Sequence, residues 1–281
     1  MSDAERDGGM RAVLSRHGLT PKKSFGQNFL LDRNLSARLA ELAAPEGAFV
    51  VEIGAGLGAF TAPLLERARR VIAIERDRDL VPVLSAELAL AIDAGKLDVV
   101  EADAKTFDYR AAFDAEMPPR ALVGNLPYQL TGPLLELAVA LSPLVERAAF
   151  LVQLEVADRL AAAPGSDAYG ALSVFAQAAY QVERALVVRR GAFLPQPNVD
   201  SAFVVLTPKR PPVARETDGF RRVVKAAFGQ RRKKLRNAWA ELAPRAALEA
   251  AAAKAGIDLE HRGEVLSVLD FARMTEALFE A

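Results

Sequence analysis

Apolar and polar positions along this chain alternate between two periods, and the changes of period lay out strands and helices. Short apolar or β-branched runs at Phe49–Ile53, Val71–Ile74, Leu97–Val100, Ala121–Val123, Ala148–Leu154, Val182–Val188 and Ala202–Leu206 predict seven strands. Helical patterns precede the first run, at about Asn34–Leu42, follow it to Arg69, and lie between the fifth and sixth runs, from EVADRL, Glu155–Leu160, and after AYGALS, Ala168–Ser173. Such alternation predicts an α/β fold with a mostly parallel sheet. Between the last two runs stands only the proline-bearing connector FLPQPNVDS, Phe193–Ser201, so one antiparallel strand is expected to close the sheet. From Pro208–Pro212 onward the pattern changes to Ala- and Leu-rich helical repeats of apolar positions with no strand signal. Three parts are expected: a mobile polar tail over 1–21, an α/β domain over 22–208, and a small all-α domain over 209–281.

Composition narrows the class. The 281 residues are 51% hydrophobic, enough for a sizeable core, yet no run is long enough to span a membrane and the first twenty residues lack an apolar signal core. A soluble, cytoplasmic protein is expected. With no cysteine and only His17 and His261, disulfides, thiolate chemistry and a histidine-rich metal centre are excluded, so no metal is expected. Net charge is zero, but its distribution is uneven. From Arg189 to Arg236 thirteen Lys or Arg face three acids, and the run RRKKLR places Arg231, Arg232, Lys233, Lys234 and Arg236 within six positions. A solvated helix face has such a run too, but clustering this tight favours a phosphate footprint, with Lys22 and Lys23 of PKKSFGQNFL as a second contribution.

The candidate chemistry sits at strand ends. After Phe49–Ile53 come Gly54, Gly56 and Gly58 and then a helical pattern, a strand, glycine turn and helix start that brings backbone donors close to a ligand. With Ala59 these letters also satisfy the dinucleotide fingerprint. Glu52, two residues before the first glycine, suits a sulfonium cofactor and is awkward beside a pyrophosphate. Glu75 ends the second strand, where a carboxylate accepts ribose hydroxyls, and Asp103 follows the third, where it accepts an adenine amino group. After the fourth comes VGNLPYQLTGP, Val123–Pro133. Asn125 offers a side-chain oxygen, Leu126 a carbonyl, Pro127 a fixed backbone direction and Tyr128 an aromatic face. Two acceptors and a stacking ring are what an exocyclic amine on an extruded base needs before it becomes nucleophilic.

Eight ordered motifs carry a resemblance: FGQNFL, EIGAGLG, IERDRDL, GNLPY, QLEVADRL, AYGALS, PQPNVDS and FGQRRKKLRN. From about Lys23 to its end the chain resembles the ribosomal RNA adenine N6-dimethyltransferases, and within them the bacterial small-subunit (16S) branch linked to kasugamycin sensitivity. The resemblance implies a Rossmann-like class I S-adenosylmethionine methyltransferase fold, with cofactor contacts at Asn28, Leu30, Gly54, Glu75, Asp103 and Asn125; Gly56 joins them from the glycine turn. It implies catalysis at Asn125, Leu126 and Tyr128 with Pro127 between them. The implied substrate is a pair of adjacent adenines near the 3' end of small-subunit rRNA within an immature 30S particle, and a monomer is expected. Leu154 and Asp167 stand where the family carries lysine, which shifts the expected phosphate contacts toward Lys22, Lys23 and the 231–236 cluster. Three alternatives are open: a large-subunit (23S) RNA adenine methyltransferase of the macrolide-resistance type, a non-catalytic RNA-binding assembly or transcription factor, and a dinucleotide oxidoreductase.

Overall fold

The computed structural model describes residues 11–22, 25–230 and 232–279. The chain divides into two compact units, Met1–Ala157 with Glu183–Thr207, and Asp158–Val182 with Pro208–Ala281.

The first unit is built on a sheet. Its strands are β1 (Phe29–Leu30), β2 (Phe49–Ile53), β3 (Arg70–Glu75), β4 (Leu97–Glu101), β5 (Arg120–Asn125), β6 (Arg147–Gln153), β7 (Tyr180–Val188), β8 (Phe193–Leu194) and β9 (Ser201–Pro208). Seven of them form one sheet in the order β4-β3-β2-β5-β6-β9-β7. β4, β3, β2, β5 and β6 run parallel, and β9 pairs antiparallel with β6. All seven strands match the apolar runs, and the proline-bearing connector does precede an antiparallel strand. Every residue of β2 is buried, as a central strand covered on both faces requires. The two-residue ribbon of β1 with β8 escapes sequence reading, since two residues carry no period.

Chain order fixes where a ligand fits. From β2 the chain winds outward to β3 and β4, then returns to place β5 on the other side of β2. The crevice at the carboxyl ends of β2 and β5 is therefore the topological switch point of the sheet. Ile53 stands opposite Gly124 there, and a Cβ on Gly124 would lie 2.6 Å from the Ile53 carbonyl oxygen. Only glycine lets the two strand ends approach so closely.

Helix Arg33–Ala43 starts where Asp32 accepts hydrogen bonds from the Asn34 and Leu35 amides. Its buried Leu39, Ala40 and Ala43 join Phe60, Leu64, Val50, Val123 and Phe203 in the core of this unit.

The second unit packs helices Ala171–Ala179, Asp218–Gly229, Arg245–Ala255 and Val268–Phe279 around Trp239, Phe220, Val223 and Phe271, all of them fully buried. The Trp239 indole N–H donates to the Val223 carbonyl at 2.9 Å, so its burial leaves no unpaired donor. Thr217 caps helix Asp218–Gly229 through the Phe220 amide, and Gly256 ends helix Arg245–Ala255 in the left-handed conformation.

Two boundaries differ from the sequence expectation. Residues 11–16 of the expected tail are helical, and Leu14 is buried with Leu57, Leu80 and Val83. Its apolar neighbours Val13 and Leu19 give the segment something to pack; residues 1–10 lie outside the described residues. The helical unit also takes residues 158–182 besides the expected C-terminal stretch. Tyr169, Val174, Phe175 and Ala178 supply part of its core, a tertiary contact that no local composition shift announces.

Candidate active site

A cavity of about 370 Å³ opens at the switch point. Asn28, Leu30, Glu52, Gly54, Gly56, Glu75, Asp103, Asn125, Leu126 and Pro127 all line it. Residues from five separate stretches of sequence thus meet on one ligand-sized space. Tyr128 does not line it.

The floor is the turn after β2. Gly54, Gly56 and Gly58 hold φ of +72°, +60° and +83°, a conformation L side chains rarely adopt. The Gly56 amide donates to Glu75 Oε2 at 2.8 Å, while Glu75 Oε1 accepts from the Arg76 and Asp77 amides at 2.9 and 2.8 Å. Burial raises the Glu75 carboxyl above its ordinary range, and those three backbone donors oppose the rise. Each carboxylate oxygen has two acceptor sites, so Oε1 is filled and Glu75 retains one site, on Oε2, for a hydroxyl donor. Asp103 accepts from the Lys105 amide at 2.9 Å and lies 3.5 Å from the Arg76 guanidinium, which fixes it at the cavity wall.

Glu52 differs from the other carboxylates. It is 1% exposed, and among the described residues neither its Oε2 nor the buried Thr61 hydroxyl completes a hydrogen bond. Burial pushes its carboxyl up to about 8, with the nearby Thr61 hydroxyl opposing and the Glu75 charge adding to the rise. An unpartnered buried acceptor on the wall of a cavity is a cost unless a donor arrives there.

The roof is the segment 25–30, and the fold holds it by a clamp that sequence reasoning missed. Lys22 Nζ donates to Asp77 Oδ1 at 2.6 Å, Gln27 Nε2 donates to Asp77 Oδ2 at 2.7 Å, and Gln27 Oε1 accepts from the Lys22 amide at 2.7 Å. Asp77 is 1% exposed. Burial by itself raises its carboxyl; Lys22, the Asp79 amide and Gln27 together overcome that and hold it below the usual carboxylate range. Lys22 also reaches Asp79 at 2.6 Å, so this cation, expected to meet phosphate, is engaged within the fold. Asp77 and Gln27 occur inside motifs quoted for the resemblance, but nothing in their spacing pairs them.

β5 delivers the reactive loop. Asn125 Nδ2 donates to the Asn28 carbonyl at 2.8 Å, which ties roof to loop and leaves Oδ1 as the end of the amide for a ligand. The Leu126 amide is taken by the Leu151 carbonyl at 3.1 Å, whereas the Leu126 carbonyl accepts no hydrogen bond from the described residues. Pro127, with φ of −57°, leads into the 3₁₀ turn Tyr128–Leu130. Its carbonyl accepts from the Leu130 amide and the Thr131 hydroxyl at 2.9 and 3.2 Å. The Tyr128 ring is half-buried, and its hydroxyl shares a hydrogen bond of 3.0 Å with Ser201, a residue the sequence did not single out.

In the helical unit, Arg232, Lys233, Lys234 and Arg236 are exposed. Lys234 and Arg236 both reach Glu260, at 2.7 and 2.6 Å. Lys23 and Arg231 lie outside the described residues. Among the described residues, no group of three or more His, Asp or Glu is placed to hold a metal ion, and no helix is long and apolar enough to cross a membrane.

Residues 18–280 match the family described as ribosomal RNA adenine dimethylase. The chain is 48% identical to "Ribosomal RNA small subunit methyltransferase A" of Anaeromyxobacter sp. (strain K), over 95% of this chain and 97% of that one. It is 43% identical to the protein of the same name from Magnetococcus marinus, over 95% of each. Among solved structures, the 23S rRNA methyltransferase ErmE aligns with a TM-score of 0.68 at 28% identity, covering 89% of this chain and 99% of that one. A dimethyladenosine transferase from Plasmodium falciparum aligns with a TM-score of 0.70 at 23% identity, over 88% and 95%, a likeness of fold.

Proposed function

From the premise that this chain belongs to the ribosomal RNA adenine dimethylase family, we propose that it dimethylates N6 of two adjacent adenines in the 3'-terminal hairpin loop of small-subunit (16S) rRNA. It acts in the cytoplasm, as a monomer, on an immature 30S particle. The cofactor is S-adenosylmethionine, whose methyl group sits on a positively charged sulfur and needs no metal to leave.

The residues fit that cofactor end to end. Glu75 would accept from a ribose hydroxyl through its remaining site on Oε2, and Asp103 from the adenine amine. The turn at Gly54 and Gly56 leaves room beside the backbone, and Asn28 and Leu30 close the roof. Glu52 supplies the unpartnered acceptor that an amino-acid ammonium requires. A dinucleotide would bring a pyrophosphate against this same buried acid, so the oxidoreductase reading has no support here.

One observation carries the catalytic reading. At the end of β5, Asn125 and Leu126 both line the cavity, and among the described residues neither Asn125 Oδ1 nor the Leu126 carbonyl accepts a hydrogen bond. The amino nitrogen of adenine is a weak nucleophile because its lone pair is shared with the ring. Accepting both amino hydrogens at these oxygens turns the lone pair out of the ring plane and toward the cofactor. Most of the remaining work is alignment. Tyr128 stacks on the extruded base. Cations of the helical unit, Arg231, Arg232, Lys233, Lys234 and Arg236, hold phosphates together with Lys23; Lys22 contributes chiefly through the clamp on Asp77.

Incubating the protein with labelled cofactor and undermethylated 30S particles or 23S rRNA tests the substrate. Label is expected on two neighbouring adenines of the small-subunit RNA. Label confined to 23S rRNA would favour the macrolide-resistance type, and none on either RNA would favour the non-catalytic assembly factor.

A further inference from the structure

Ser201 is 1% exposed and opens β9, opposite Gln153 of β6. Its neighbour Asp200 is fixed three ways. The Asp200 carbonyl accepts from the Leu154 amide at 3.0 Å, and its carboxylate accepts from the Arg190 amide at 2.9 Å and from Arg189 Nη1 at 2.8 Å. The chain at Ser201 is thus pinned by the sheet on one side and by a local ion pair on the other.

Tyr128 is held differently. It begins a 3₁₀ turn of three residues, and among the described residues only the hydrogen bond its hydroxyl shares with Ser201, 3.0 Å long, ties the far end of the ring. A short turn leaves both side-chain torsions of a tyrosine to be settled by its surroundings. Burial raises the phenol above its ordinary range while the Ser201 bond opposes the rise, so the ring stays neutral near pH 7.

We propose that Ser201 is a positioning residue for methyl transfer: its hydroxyl fixes the Tyr128 ring in the plane on which the target adenine stacks. This rests on the reading of Tyr128 as the stacking face, and it gives the last residue of the PQPNVDS segment a role in the reaction. The rigid partner is the serine, and the ring on the loop takes its orientation from it.

Ser201→Ala and Tyr128→Phe remove the same bond from opposite ends. Each is expected to lower kcat roughly three- to tenfold, the range for losing one hydrogen bond between neutral groups, with cofactor Kd unchanged. The double variant should be no slower than either single one, because two groups acting through one bond do not add. RNA carrying 2-aminopurine at the target position gives an independent signature: stacking quenches its fluorescence, and both variants should quench less. Wild-type kcat and quenching in Ser201→Ala, or additive losses in the double variant, would overturn the proposal. If Ser201→Ala does not fold, Tyr128→Phe alone carries the test, since it leaves the buried position intact. Tyr128→Ala separates the two claims. Normal turnover there removes the stacking reading and the Ser201 role with it. An inactive Tyr128→Ala alongside unaffected Ser201→Ala and Tyr128→Phe removes only the Ser201 role.

Discussion

Two lysine–carboxylate pairs of nearly equal length serve opposite purposes in this protein. Lys22 meets Asp77 at 2.6 Å, and Lys234 meets Glu260 at 2.7 Å. Asp77 is 1% exposed and also accepts from Gln27 and the Asp79 amide, whereas Glu260 and Lys234 are each 48% exposed. The first acid has nowhere to turn for water if its partners leave, so the pair dictates where the roof of the cavity lies. The second pair exchanges one well-solvated partner for another at little cost and yields readily to a phosphate. Ion-pair distance says nothing about role; the exposure of the acid does.

Breaking the buried clamp is expected to have the largest effect of the substitutions that test this contrast. Asp77→Ala removes the acceptor of Gln27 Nε2, leaves the Lys22 ammonium with Asp79 alone and loosens the segment carrying Asn28 and Leu30. Cofactor Kd, measured by calorimetry, should rise at least about tenfold, the equivalent of one buried hydrogen bond or more. A Kd within twofold of wild type would mean that the roof holds itself.

Glu52 gives the next largest effect. Its folded value of about 8 lies above its ordinary 4.5, so the unliganded protein binds an extra proton between those values and loses stability as pH rises through them. A cofactor ammonium favours the ionised form. Binding at pH 7 should therefore release close to one proton, and affinity should improve as pH climbs toward about 8 and then level off. Calorimetry in buffers of different ionisation enthalpy reads the proton directly. In Glu52→Gln that release should vanish; release persisting unchanged would assign it to another group.

The exposed pairs should give the smallest effects. Lys233→Ala with Lys234→Ala should lower the slope of log affinity for RNA against log salt by about 1.5, at roughly 0.7 to 0.9 for each phosphate no longer neutralised. Glu260→Ala should leave Tm within about a degree and tighten RNA binding modestly, because it frees Lys234 and Arg236. An unchanged slope in the first variant would move the phosphate contacts away from this cluster.

The same contrast explains what was legible in the sequence. Strands were legible because β-branched runs such as Phe49–Ile53 cover a two-faced core, and a buried period is a local property. Residues at strand ends were legible because the switch point gathers them wherever the chain winds in this order, hence Glu75, Asp103 and Asn125 on one cavity. The clamp was not, since Lys22 and Asp77 lie 55 positions apart and each alone looks like a solvated charge. Ser201 was hidden for the same reason: its partner Tyr128 is 73 positions away, and a serine at the start of a strand has no signature. Zero net charge concealed the basic cluster until its position was considered, and the fold then showed that one acid, Glu260, already engages two of its cations.

The central claim is that Asn125 Oδ1 and the Leu126 carbonyl prepare the amine for attack, and Asn125→Ala examined in single turnover tests it most directly. Methyl transfer to 30S particles should slow by about a hundredfold or more, the scale for removing a preorganised polar group beside the reacting atoms. Cofactor Kd should change far less. Near-normal transfer with intact cofactor binding would contradict the assignment and leave the loop after β5 with a structural role only.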